Sequence, residues 1–204
     1  MGANAVPLLG VVIAGWDAFT LLMLYWFESA VIGLWVCLAV TFSRQDTLTL
    51  RVARGEAIRP GLGIGLFIAA HAGVFMFVHM FFIFGFREIS GTHGSGPSDL
   101  IALLLESGLW LPLAALFVLR GLITVSDHID GRPLEPAIVG FYLRIIIMQV
   151  AIIFGGFVAV FAGGSIIPLV LLIGLRTAID LGIEPLAERL GGLTAQPEPP
   201  AQGD

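Results

Sequence analysis

Gly61 to Phe86 reads GLGIGLFIAAHAGVFMFVHMFFIFGF, a run bounded by Arg59 and Arg87 in which no Asp, Glu, Lys or Arg occurs. Only His71 and His79 can ionise within it. A helix that crosses a hydrocarbon core of about 30 Å needs roughly 20 mainly apolar residues. This run meets that requirement and predicts a transmembrane helix.

The rest of the chain has the same character. It holds 204 residues, 57% hydrophobic and only 12% charged, with a mean hydropathy of +0.98. Soluble globular chains carry roughly 25% charged residues, so a water-soluble domain of this size could not clothe its surface here. Disordered chains and ordinary cytosolic enzymes are excluded on that ground. The net charge of −5 argues against nucleic acid, whose binding needs a concentrated positive surface. The expected partner is the lipid bilayer. Cys37 is alone, so no disulfide framework exists. The opening MGANAVPLLG lacks the basic n-region of a secretory signal.

Four further apolar runs are long enough to cross. One lies between Asp17 and Arg44, with Glu28 its only charge. Another extends from Asp99 to Arg120, with Glu106 inside and Pro112 as a kink point. The next starts after Pro133 and Pro136, which suit a first helical turn, and reaches about Phe161 with Arg144 within it. The last, from about Ser165 to Leu181, is interrupted by Arg176 and Asp180. Val6 to Trp16 is apolar but spans only about 16 Å as a helix; a short crossing and a half-helix against the bundle both fit it. Asp17 is placed to cap the helix that follows, and Trp16 to anchor at an interface. The expected architecture is all-α: a polytopic transmembrane helix bundle with five full spans plus a short N-terminal apolar helix. One domain covers 1–190, and a Pro- and Gln-bearing tail over 191–204 is expected to be disordered.

Arg44, Arg51, Arg54 and Arg59 form the densest basic cluster, which predicts a cytoplasmic loop over 44–59. By alternation the Asp127–Glu135 loop and the C-terminus share that side. The Gly-rich Glu88–Ser98 loop then lies outside.

Ionisable groups at membrane depth cost about 2.5–3.5 kcal/mol each on insertion scales, so they normally face the bundle and find partners. Counting from the helix ends, Glu28 lies roughly 15 Å below the outer edge and His79 roughly 12 Å. His71 is about 12 Å deeper than His79. Arg144 and Arg176 also fall near mid-depth, with Asp180 one turn inward of Arg176. Glu28, His71, His79, Arg144, Arg176 and Asp180 are therefore the candidate intramembrane site. Two readings fit them: buried ion pairs that only fix helix packing, in a structural or partner-binding subunit, or a polar site for a proton, small ion or cofactor.

The spacing restricts the second reading. Eight positions apart, His71 and His79 point about 80° from each other along one helix, so they cannot both ligate one ion. Met76 and Met80 flank His79, which would suit a soft metal, although methionine in an apolar helix usually packs. No HExxH or CxxC spacing occurs. A relay of two histidines and a carboxylate stepped down one seam fits the spacing better than convergence on one atom. Glu106 reads as interfacial, the Phe-rich run from Phe75 to Phe86 as packing and lipid contact, and Gly155-Gly156 as a close approach or bend. His93, Gly94 and Gly96 lack the lysine of a phosphate loop.

Leu24-Tyr25-Trp26-Phe27-Glu28 with Ile32-Gly33, His71-Ala72-Gly73-Val74-Phe75 with His79-Met80-Phe81-Phe82, Tyr142-Leu143-Arg144, and Arg176 with Asp180 occur in that order. In this pattern the chain resembles an uncharacterised family of bacterial multi-pass membrane proteins, a domain of unknown function of the DUF6498 type. The resemblance implies a bacterial inner membrane location and the same topology, and it brings no activity. It also implies a larger residue at Ala72 and a histidine at Gln149. The chain departs from the family at both positions, and the second counts against a metal or haem.

Overall fold

The structure, a computed structural model, describes residues 16, 18–45, 48, 58–89 and 100–162. Five helices follow in order: α1 (Ala18–Thr41), α2 (Leu62–Ile89), α3 (Leu100–Glu106), α4 (Trp110–Ile129) and α5 (Glu135–Ala162). The described residues hold no strand beyond one antiparallel bridge, Leu48 to Ile58, which closes the base of the arginine-bearing loop. Among them, three helices are long and apolar enough to cross a membrane: Phe19–Thr41, Leu62–Gly85 and Trp110–Ile129. The segments Val6–Gly15, 90–99 (with His93, Gly94 and Gly96), Ser165–Leu181 with Arg176 and Asp180, and the tail over 191–204 lie outside the described residues.

α1 is the centre of the molecule and packs against α2, α4 and α5, while α2 also packs against α5. Leu21, Leu22, Met23, Leu24 and Tyr25 are all buried in succession, which a helix achieves only when neighbours cover it on every side. α2 and α5 are covered on one stripe each. On α2 the stripe is Ile68, Ala72, Met76, His79 and Ile83. On α5 it is Ile138, Phe141, Ile145, Met148 and Ile152. Steps of three and four keep each stripe on one helical face. The opposite faces of α2 and α4 carry exposed Leu, Val, Ile and Phe side chains.

Contacts fix the helix directions. Phe19 meets Phe84 with ring centroids 5.6 Å apart, and the Trp26 indole donates to the Met76 carbonyl at 2.7 Å, so α2 runs antiparallel to α1. Glu28 faces Arg144, and a Cβ placed on Gly33 would meet the Phe141 ring at 2.5 Å, so α5 is antiparallel to α1 as well. α4 runs parallel to α1: Trp16 Nε1 donates to the Ser107 carbonyl at 3.1 Å, Trp35 Nε1 to that of Phe117 at 3.1 Å, and Gln45 Nε2 to that of Arg132 at 2.6 Å. The last bond joins the loop after α1 to the loop after α4, so those two loops share one end of the bundle.

The run from Asp99 to Arg120 is not one helix kinked at Pro112. It breaks after Glu106, and Gly108 adopts φ +71, a left-handed conformation that glycine reaches without a steric penalty. α4 restarts at Trp110, which puts Pro112 in its first turn, where no backbone N–H has an intrahelical partner to lose. The helix continues past Arg120 to Ile129. Glu106 is exposed at the end of α3, consistent with the interfacial reading. α5 begins at Glu135 with Pro136 in its first turn, as the two prolines imply.

Candidate functional site

Of the six candidate residues, Glu28, His71, His79 and Arg144 are described, and each faces the seam where α1, α2 and α5 meet or its edge. His79 belongs to the buried stripe of α2 and is fully enclosed. Its Nε2 pairs with Gln149 Oε1 of α5. An amide oxygen only accepts, so the imidazole donates here and carries its proton on Nε2. Nδ1 is then a bare acceptor, and it has no hydrogen-bond partner among the described residues. Leaving a buried acceptor unsatisfied costs about 1–3 kcal/mol.

His71 sits one position before Ala72, so it is rotated about 100° from the buried stripe and is exposed. Its Nδ1 lies 3.1 Å from the Tyr142 hydroxyl. The Phe67 ring stacks on it at 5.6 Å with an interplanar angle of 6°, and Phe75 meets it edge-on at 5.2 Å.

Glu28 is buried, and its carboxylate lies 3.9 Å from Arg144, the two side chains being 12% and 19% exposed. One residue on, the Ser29 hydroxyl donates to the Tyr25 carbonyl at 2.9 Å, which satisfies a polar group within α1 itself.

The register set by Trp26 and Met76 places Glu28 beside the stretch of α2 between its two histidines. Arg144 likewise lies between Tyr142 and Gln149 on α5. Three polar pairs are thus stepped along one seam: His71 with Tyr142, Glu28 with Arg144, and His79 with Gln149. The eight residues from His71 to His79 set the length of the series at about 12 Å. Counting from the helix ends puts Glu28 about 3 Å inward of His79, and the register of Phe19 with Phe84 and Trp26 with Met76 likewise sets it inward, on the His71 side.

The search for charges missed Tyr142 as a partner of His71 and Gln149 as a partner of His79. Their signal was position: 142, 145 and 149 fall on one helical face. Gln149, where the family resemblance implies histidine, remains a polar contact to His79. Arg120, which the charge pattern makes the end of a span, lies within α4 next to Gly121, where an added Cβ would meet the Trp35 ring at 2.6 Å. Among the described residues, no three His, Cys, Asp or Glu side chains gather as a metal ion would require.

Three helices of spanning length, α1, α2 and α4, are compatible with a membrane protein. The chain belongs to the Family of unknown function (DUF6498), which it matches over residues 1–197. No curated protein and no solved structure matches it.

Proposed function

We propose that the protein is a multi-pass integral membrane protein of a bacterial inner membrane, and that its α1–α2–α5 seam conducts protons or a small ion. In this reading α1, α2, α4 and α5 cross the bilayer, Ser165–Leu181 supplies a fifth crossing, and residues 1–190 form one helical domain. The loop over 44–59 and the C-terminus face the cytoplasm.

The observation that carries the site is the stepped series of polar pairs. Groups spaced this way pass a proton through short water-bridged steps, whereas a single ion would need them to converge. His79 supports it further. A packing network gains nothing from a buried imidazole with an open acceptor, while a carrier needs a lone pair that can take up a proton. Arg176 and Asp180 are assigned to the same site as its remaining charged pair.

The second reading, a structural or partner-binding subunit, is favoured by one contact. Glu28 and Arg144 neutralise each other, as charges that only fix packing would.

Reconstitution into vesicles containing a pH-sensitive dye separates the two. Under an imposed potential, wild type should acidify or alkalinise the lumen faster than empty vesicles, and His79→Gln and Glu28→Gln should abolish that flux while remaining folded. Unchanged flux in both variants refutes the conduction reading. An absorption spectrum and metal analysis of the purified protein test a bound cofactor at the same step.

A further inference from the structure

The imidazole at the outer edge of the seam has a property the relay does not use. His71 follows Leu62 by nine residues, so it lies about 14 Å along α2, near the middle of a hydrocarbon core of about 30 Å. At that depth it is exposed, on a face whose other members include Phe67, Val74, Phe75 and Val78, all exposed. A polar group presented to lipid at mid-depth is costly, and acyl chains offer it no acceptor.

We propose that His71, Tyr142, Phe67 and Phe75 form a binding site for the head group of a lipid-soluble quinone. The proposal rests on the membrane reading but not on proton conduction. The Tyr142 hydroxyl occupies His71 Nδ1 at 3.1 Å, as donor or acceptor according to the imidazole tautomer, so Nε2 is the nitrogen left for a ligand. No other hydrogen bond to His71 occurs among the described residues, and Nε2 serves either redox form of the head group, donating to a quinone carbonyl in one tautomer and accepting from a quinol hydroxyl in the other. Phe67 lies parallel to the imidazole and Phe75 edge-on, and together they offer apolar ring faces beside the donor. No charged side chain stands among these residues, so the site selects a neutral ligand that partitions into the membrane interior. Phosphate-bearing head groups are held at the interface, about a half-thickness away.

The test uses the full chain in lipid nanodiscs, titrated with a short-chain isoprenoid benzoquinone and read by saturable quenching of tryptophan fluorescence. Wild type should show a saturable component above quinone partitioning into empty nanodiscs. His71→Phe keeps a ring but removes the donor, and should weaken binding about tenfold, the loss expected for one hydrogen bond in an apolar site. Tyr142→Phe frees Nδ1 and should weaken it less. Phe77→Leu, outside the site, should leave it unchanged, and thermal melts confirm that each variant is folded.

Equal saturable binding by wild type and His71→Phe, or none by wild type, overturns the proposal. So does a haem absorption band lost in His71→Phe, which would assign the Nε2 lone pair to iron. Disulfide-linked dimers of His71→Cys in a Cys37→Ala background would also overturn it, by showing a second copy against this face. Extraction of the chain from membranes by carbonate would refute the membrane reading itself, a result separable from loss of the quinone site alone.

Discussion

His71 and His79 lie on the same helix, and each reaches a polar residue of α5, yet their surroundings are opposite. His79 falls on the stripe that runs through Ile68, Ala72, Met76 and Ile83 and is sealed in the core. His71 misses that stripe by one residue and faces outward between two phenyl rings. A rotation of about 100° therefore separates a core group with an open acceptor from a surface group with an open ring nitrogen. Residue type alone assigns neither role; position relative to the buried stripe assigns both.

The largest effect should come from the pair between the two levels. Arg144→Leu strands a buried carboxylate, and breaking a buried ion pair in this way costs about 3–5 kcal/mol. Denaturant titration in detergent should show the loss, and Glu28→Leu added to it should restore part of the stability.

His79→Ala comes next. It opens a cavity in the core and removes the partner of Gln149, a combined cost of about 3 kcal/mol. The thermal midpoint of the purified variant is the measurement, and an unchanged midpoint would remove the contrast between the two histidines.

Gln149→Leu sharpens it, because the imidazole stays and only its partner goes. With both ring nitrogens then unsatisfied in the core, about 1–3 kcal/mol should be lost. His71→Ala should cost least, within about 0.5 kcal/mol, as exposed substitutions usually do. A larger loss there would mean that His71 is covered by something the described residues do not supply.

Much of this fold is legible from the placing of charges. Arg59 and Arg87 bracket α2, and Asp17 and Arg44 bracket α1, because ionisable groups mark where a helix can leave the hydrocarbon. The angle of about 80° between the two histidines follows from helix geometry alone. Which one enters the core does not, since the residues around both are uniformly apolar and α2 has no polar face to set its rotation. The break at Gly108 was hidden for a related reason. Glu106-Ser107-Gly108 interrupts the apolar run from Ile101 to Leu119, but a Glu-Ser pair also stands at Glu28-Ser29 inside unbroken α1, so only the backbone angle of Gly108 marks the break. Tyr142 and Gln149 escaped because they carry no charge and attract no notice in a count of ionisable groups, although they complete two of the three pairs.

The way α4 is held has a consequence for mutational tolerance. Trp16, Trp35 and Gln45 each donate to a carbonyl of the stretch from Ser107 to Arg132, so the attachment addresses main-chain atoms that every amino acid supplies. Apart from Gly121, where the Trp35 ring leaves no room, the buried Leu113 and Phe117 against the Trp35 ring, the side chains of α4 are free to drift while the helix keeps its place. In a saturation scan much of the constraint on this helix would register at Trp16, Trp35 and Gln45, all outside it. Its outer surface could then adapt to a new lipid composition without disturbing the polar seam on the other side of α1.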